Sequence, residues 1–495
     1  MAATETIEAN PSLANPHHER RWLILALLGT AQLMVVLDAT VVNIALPSAQ
    51  KALNFSDSNR QWIVTAYSLT FGSLLLLFGR VGDLWGRKRT LMVGLVAFGI
   101  VSAIGGAAQS FGMLVTARAF QGAAGALLAP SALSLLTTTF TEPRERGIAF
   151  GIYGAIAGAG GAVGLLLGGV LTEYLSWRWC LYVNVAIAVP AVFAAMALLT
   201  NQVPAERPKL DVPGAVAVSL GLFLIVFGFS QAEPRGWTDW ETLGSLIAGV
   251  IILVWFVIIE RRSAHPLLPL RIVLDRNRGG SYLSVLISGA GLFGVFLFLT
   301  YYLQKTLLYS PVTTGLAFLP MVAMIVIGST TSNAVLLPRF GPKPLVPTGM
   351  LLASLGMVLL AQLGVHSTYA GHILPALLII GLGLGLIFAP SINTATLGVE
   401  QEDAGVASAT VNSCQQVGGS IGTAFLNTIA TTAVTSYLVG KTPTVAVAAQ
   451  AAVHGYVVAF WWAAGIFLLG AIVSGTLLRP GVAAVGAQEA AVVVA

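Results

Sequence analysis

Gln50 to Ser56 reads QKALNFS, and Gln304 to Ser310 reads QKTLLYS. Each heptapeptide closes a long apolar run. Three further pairs keep almost the same spacing. GALLAPS (Gly125 to Ser131) returns as GLIFAPS (Gly385 to Ser391), and WGRKRTL (Trp85 to Leu91) returns faintly as FGPKPLV (Phe340 to Val346). Gly147-Ile148-Ala149 returns as Gly405-Val406-Ala407. The four offsets all fall between 254 and 260 residues. Four coincidences in one register argue for a duplicated unit.

The unit is a membrane one. Hydrophobic residues make up 56% of the 495 and charged residues 9%, against roughly 25% charged in soluble domains. Mean hydropathy is +0.85. A chain so poor in charge has no polar coat for a globular surface. Apolar runs recur, each near the roughly 20 residues that cross hydrocarbon as a helix. The 54 glycines suit helices that approach closely in lipid. The net charge of +5 sits in alternate loops, which points to a membrane signature and not to nucleic acid. Cys180 and Cys414 are far apart and carry no ligand spacing, so neither a disulfide nor a metal site is expected. The first 20 residues are polar, so no cleavable leader is expected and the first span directs insertion.

Spans are read at about 23–46, 60–79, 90–109, 112–139, 147–171, 179–199, 212–230, 242–260, 280–303, 312–337, 345–364, 372–398, 404–433 and 456–478. Spans 4, 5, 12 and 13 are rich in small residues, as in helices packed on protein. With the N-terminus inside, 18 lysines and arginines fall on the cytoplasmic side. Six fall outside (Lys51, Arg60, Arg178, Arg235, Lys305, Lys441), and Arg118 stays in the membrane. Both termini are therefore expected in the cytoplasm. The expected fold is an all-α polytopic membrane protein with fourteen transmembrane helices, in a multi-pass arrangement in the plasma (inner) membrane. Its parts are an N-terminal tail (1–22), a six-helix bundle (23–199), a linker with two inserted helices (200–279), a second bundle (280–478) and a C-terminal tail (479–495). The connector from Arg261 to Gly280 mixes five arginines with leucines, isoleucine and valine. It reads as a partly helical interfacial segment or as a plain basic tether.

A charge within hydrocarbon is expensive, so the few that occur are functional candidates. They are Asp38 in span 1 and Arg118 in span 4, at similar depths of about 9–14 Å below the outer surface. They can meet across a helix interface. Burial and a neighbouring guanidinium act oppositely on a carboxyl, so its protonation can follow conformation and couple proton entry to substrate exit. The alternative is a permanent ion pair that locks two helices. Asn43, on the same helix, lines that cavity or makes a helix–helix hydrogen bond. The loop GRVGDLWGRKR (Gly79 to Arg89) supplies Asp83 and Arg87, which can latch the halves, while Gly79, Gly82 and Gly86 permit a tight turn. Span 5, GIYGAIAGAGGAVGLLLGG, carries glycine at about 1 kcal/mol per residue of helix stability. That suggests a helix that bends or packs tightly. The aromatics of span 9 (Phe293, Phe296, Phe298, Tyr301, Tyr302) stack on a substrate or face lipid. No Walker loop, histidine relay or hydrolase motif occurs, so neither ATP drive nor an enzyme is expected.

These motifs resemble the fourteen-span drug:proton antiporter branch of the major facilitator superfamily. LDATVVNIALP (Leu37 to Pro47) is similar to its first-helix signature, with Asp38 on the acidic position. GRVGDLWGRKR is similar to the superfamily loop motif, with Asp83 and Arg87 on its key positions, and RAFQGAAGA (Arg118 to Ala126) to the fourth-helix motif. Two positions depart. Leu165 stands where the antiporter motif GPxxGG has proline, between Gly164 and Gly168-Gly169, and Ala186 stands where a proline often follows Asn184. The resemblance implies proton-coupled export of drugs, antibiotics or other amphiphilic compounds by alternating access. Asp38 and Arg118 are the expected coupling pair. The expected substrate cavity includes Asn43, Tyr67, Gln121, Phe296 and Tyr301. The proton gradient is the expected energy source, with no cofactor or metal, and the partners are a small hydrophobic or cationic substrate, protons and lipid for a monomer. Rival readings are a specific metabolite transporter on the same fold or a non-transporting sensor. By the repeat offsets Asp38 aligns near Leu292 and Arg118 near Leu378, so the first half is expected to handle the proton.

Overall fold

The computed structural model describes residues 18–140, 142–200, 211–263, 266–396, 399, 404–442 and 444–480. Among them run fourteen helices of 19 residues or more. They are α1 (Arg21–Leu53), α2 (Gln61–Trp85), α3 (Arg87–Gly106), α4 (Phe111–Thr139), α5 (Pro143–Tyr174), α6 (Trp179–Leu198) and α7 (Val212–Arg235). Then follow α8 (Trp240–Arg262), α9 (Arg276–Tyr301), α10 (Pro311–Thr331), α11 (Pro342–Leu360), α12 (Leu374–Thr396), α13 (Ala404–Leu438) and α14 (Val445–Leu477). Eleven are long and apolar enough to cross a membrane; α2, α5 and α13 fall outside that count, which covers the described residues alone. Small polar side chains start several of them, because a capping oxygen occupies an N–H that the first turn leaves free. Ser110, Asp211, Asp239, Asp275, Ser310 and Thr444 each accept from such an amide.

The repeat seen in the sequence is also a repeat of contacts. α1 packs on α5 and α6 as α9 packs on α13 and α14. α4 packs on α2 and α3 as α12 packs on α10 and α11. The two groups meet reciprocally, α2 against α13 and α10 against α5. Backbone angles repeat too. Asn54 in QKALNFS and Leu308 in QKTLLYS both take φ near +50° (51° and 55°), the only non-glycine residues with positive φ among those described. Gly86 and Gly341, at equivalent places in the other motif pair, have φ of 91° and 72° and end one helix while the next begins. Asparagine tolerates the left-handed turn; leucine does not.

Glycine sets the closest crossings. A Cβ on Gly168 of α5 would meet the Val41 backbone of α1 at 2.9 Å, and one on Gly169 would meet Pro311 and Val312 of α10 at 2.8 Å. Gly164 admits Thr40 of α1 in the same way. α5 runs unbroken from Pro143 to Tyr174, so of the two expectations for this helix, tight packing holds. The expected loop from Gly79 to Arg89 is mostly helix. α2 continues through Trp85, Gly79 and Gly82 lie in ordinary contact with Pro130 and Ser131, and Gly86 alone makes the turn.

The inserted helices α7 and α8 lie across the line where α2 meets α13. Val226 packs with Leu69 and Ala424, and Thr428 Oγ1 donates to the Phe229 carbonyl at 2.9 Å. The outer side of α8 exposes Ile247, Val250, Ile251, Val254, Trp255 and Ile258, an apolar strip suited to lipid. The connector after α8 contains one short helix, Leu270–Val273. Its apolar side chains Leu267 and Ile272 are buried in protein, while Leu274 is exposed. Buried Glu260 fastens it by accepting from the Leu268 amide at 2.9 Å.

Two stability changes follow. Leu308→Asn, at a residue 80% exposed, is expected to stabilise the protein by about 1 kcal/mol by relieving left-handed strain. Gly168→Val is expected to destabilise by about 1–3 kcal/mol through overpacking against backbone. Thermal unfolding in detergent, read by fluorescence-detected gel filtration, checks both.

Candidate functional site

Asp38 and Arg118 meet. Arg118 Nη1 donates to Asp38 Oδ2 at 2.6 Å, and both side chains are shut off from the exterior. Asp38 projects from the middle of α1 and Arg118 from the second turn of α4. Gln121 stands three residues further on the same face of α4. Its Nε2 donates to Asp38 Oδ1 at 2.7 Å and to Ser102 Oγ of α3, also at 2.7 Å, while its Oε1 accepts from Arg118 Nη1 at 2.7 Å. Asn184 of α6 gives the third donor, Nδ2 to Asp38 Oδ1 at 2.8 Å. From α2, the Ile63 carbonyl accepts from Arg118 Nε at 3.1 Å, and the Tyr67 ring lies under the guanidinium at 4.3 Å.

Five helices of the first group therefore converge on one carboxyl. Three donors on two oxygens are the partner set of an ionised acid, which only accepts. A buried pair whose remaining valences are filled can hold together, and removing one partner typically destabilises by about 3–5 kcal/mol. The space beside Arg118, bounded by Val42, Ala45, Ile63, Leu114 and Cys180, is a cavity of ≈ 10 Å³. That is room for about one water, so a drug-sized molecule does not bind there.

The other expected residues are dispersed. Tyr67 and Gln121 belong to the Asp38 cluster. Asn43 folds back on its own helix, Nδ2 donating to the Ala39 carbonyl at 3.0 Å. Phe296 is half-buried against Phe318, with ring centroids 5.2 Å apart. Arg87 Nη1 reaches the Ser134 carbonyl of α4 at 3.4 Å; the Asp83 side chain lies outside the described residues.

Tyr301 belongs to a second polar centre that charge counting hid. Arg60, counted among the outer loop cations, is 3% exposed. Its guanidinium lies over the Tyr301 ring at 4.4 Å, with Phe298 at 5.5 Å and Tyr456 at 5.9 Å. Its Nε donates to Asn427 Oδ1 of α13 at 3.0 Å, and Asn427 Nδ2 donates back to the carbonyls of Asp57 and Ser58. Arg60 thus ties the start of α2 to α9, α13 and α14. Other bonds between the groups gather near that face. Ser68 pairs with Ser420 at 2.8 Å, Gln304 donates to the Ile44 carbonyl at 3.0 Å, and the Val312 amide donates to Glu173 at 2.9 Å. Among the described residues, these close the molecule at the Arg60 face.

The profile described as Major Facilitator Superfamily matches residues 28–423. The chain belongs to this superfamily. Two similar proteins are the puromycin resistance protein of Streptomyces alboniger, 50% identical over 93% of this chain and 92% of its own, and the cephamycin export protein of Amycolatopsis lactamdurans, 40% identical over 82% and 84%. Among solved structures, an auto-inhibited peptide transporter aligns with TM-score 0.65 at 16% identity over 92% of this chain and 96% of its own. That likeness shows the fold. This major facilitator protein is accordingly a multi-pass membrane transporter and not an enzyme.

Asn184, Ser102 and Arg60 with Asn427 are the residues that sequence reasoning passed over. The signal for Asn184 was present: it is the sole amide or charge in the apolar run of α6. The signal for Arg60 was absent, because a cation just before a span reads as a loop residue.

Replacing Arg60 with Ala is expected to loosen the closed face. With spin labels on Lys51→Cys and Lys305→Cys, in a background lacking Cys180 and Cys414, the distance distribution is expected to move to longer values. An unchanged distribution rules out the tie.

Proposed function

We propose that this transporter is a proton-driven exporter of antibiotics or related amphiphilic small molecules. The observation that carries the proton part is Asp38, an acid buried at mid-helix among three donors from two helices and paired to Arg118 at 2.6 Å. Placing a charge there is expensive unless its neutralisation drives a step. Drug efflux as the function is supported by the relatives, described as proteins for puromycin resistance, cephamycin export, and tetracenomycin C resistance and export.

In this reading all fourteen helices cross the plasma membrane with both termini in the cytoplasm, and the Arg60 face is the outer one. The halves, 23–199 and 280–478, rock about the α2–α13 and α5–α10 crossings, and substrate binds between them. Protonating Asp38 removes one charge of the pair and frees Arg118 from its tightest partner. The cluster then relaxes, α1 and α4 shift, and access changes side. Asp83 and Arg87 latch the opposite face. The transporter works as a monomer with no cofactor besides the proton gradient.

The test is a panel of toxic compounds in an efflux-deficient host, followed by transport in proteoliposomes. Asp38→Asn is expected to abolish uphill export under an imposed pH gradient while leaving binding and downhill exchange. Export against a gradient by Asp38→Asn equal to wild type overturns the proton assignment. Absence of internal pH change with any compound of the panel favours a sensor.

A further inference from the structure

Resting on the reading of Asp38 as the proton carrier, we propose that Asn184 is the residue that adapts the site to the neutral acid, by rotating its amide. The argument is one of hydrogen-bond capacity. An ionised carboxylate only accepts, whereas a protonated one also donates a proton that needs an acceptor. Around Asp38 every contact is a donor: Arg118 Nη1, Gln121 Nε2 and Asn184 Nδ2. Once a proton forms an O–H bond on Asp38, one of these must give way to an acceptor.

The candidates differ in freedom. Arg118 has no acceptor to offer. Gln121 is locked, because its Oε1 accepts from Arg118 at 2.7 Å and its Nε2 donates to Ser102. Turning it over would set an amide N–H against the guanidinium. Asn184 has no such constraint. Its Oδ1 is buried with no hydrogen-bond partner, and the residue is fully enclosed. A half-turn about the terminal bond exchanges Nδ2 for Oδ1 at the carboxyl, and Oδ1 then accepts from the new O–H. One polar atom of the amide stays unpaired in either arrangement, Oδ1 before and Nδ2 after. The penalty is similar in both, so Asn184 fits both charge states without locking either.

Other titratable and charged groups facing Asp38 are Arg118 from α4, Tyr67 from α2 and Cys180 from α6. The first is committed to donation. The Tyr67 hydroxyl is also buried without a partner, but its ring is held under Arg118 and stacked on Phe71 at 5.8 Å. The Cys180 sulfur is engaged with Thr172 and the Gly168 carbonyl. Asn184 is therefore a positioning residue for the proton step, acting through Asp38 without touching substrate.

Infrared titration of the purified transporter in liposomes tests this without a substrate. The band of protonated Asp38 is assigned by its loss in Asp38→Asn; if no band is lost, the proton reading itself fails. Asn184→Leu leaves the carboxylate two of its three donors but removes the only acceptor for the neutral acid. Its Asp38 carbonyl band is expected at higher frequency, as for an acid whose O–H has no acceptor. Asn184→Ser keeps a group that both donates and accepts, and its Asp38 band is expected near the wild-type frequency. An assigned Asp38 band with wild-type frequency in Asn184→Leu overturns the Asn184 proposal alone. If Asn184→Leu does not fold, an Asn184→Ser band displaced to the frequency of an acid without an acceptor overturns it.

Discussion

A full charge pair inside an apolar bundle is the constraint on which the first half depends. Taking two ions out of water is unfavourable by several kcal/mol each, and their attraction offsets this only with good geometry and filled hydrogen bonds. Asp38 and Arg118 meet both conditions, and meeting them fixes the positions of α1, α2, α3, α4 and α6 relative to one carboxyl. The second half has the same pairwise helix contacts, but among the described residues it holds no buried ion pair of this kind, and leucine stands near both equivalent positions. Its packing is set by apolar volume: Phe298, Phe318, Phe460 and Phe467 are all fully enclosed. One scaffold is thus held by two different means.

The halves are joined differently again. Their crossings use backbone-to-backbone approach at Gly169 and Gly315, where a side chain would collide with the partner helix. Lipid offers no hydrophobic drive between helices, so small-residue contact and polar bonds must supply the association. Arg60 adds a cation held among three rings, an arrangement specific to one face.

Much of this was legible in the sequence. The repeat offsets located equivalent helices, and both left-handed residues, Asn54 and Leu308, fall within the motif pair that first revealed them. Rarity of charge singled out Asp38 and Arg118, and helical rise put them at one depth. What stayed hidden depends on rotation about helix axes. Linear order does not say that Gln121 faces Asp38, or that Arg60 turns inward to Tyr301 instead of outward to water. The Gly79 to Arg89 stretch misled for a related reason. Charges and glycines look like a loop, yet at a membrane surface a helix end is solvated and glycine at Gly79 and Gly82 merely packs on Pro130 and Ser131.

The hairpin of α7 and α8 makes the two flanks of the molecule unlike. It touches α2 on one side and α13 on the other, whereas α5 and α10 meet with no such cover described over them. Any movement between the two groups must slide the first flank beneath an attached strap, whereas the second is held by its own glycine crossing and the Val312 amide on Glu173. The two flanks therefore turn different thicknesses toward lipid, a third layer of helix on one and a two-helix seam on the other.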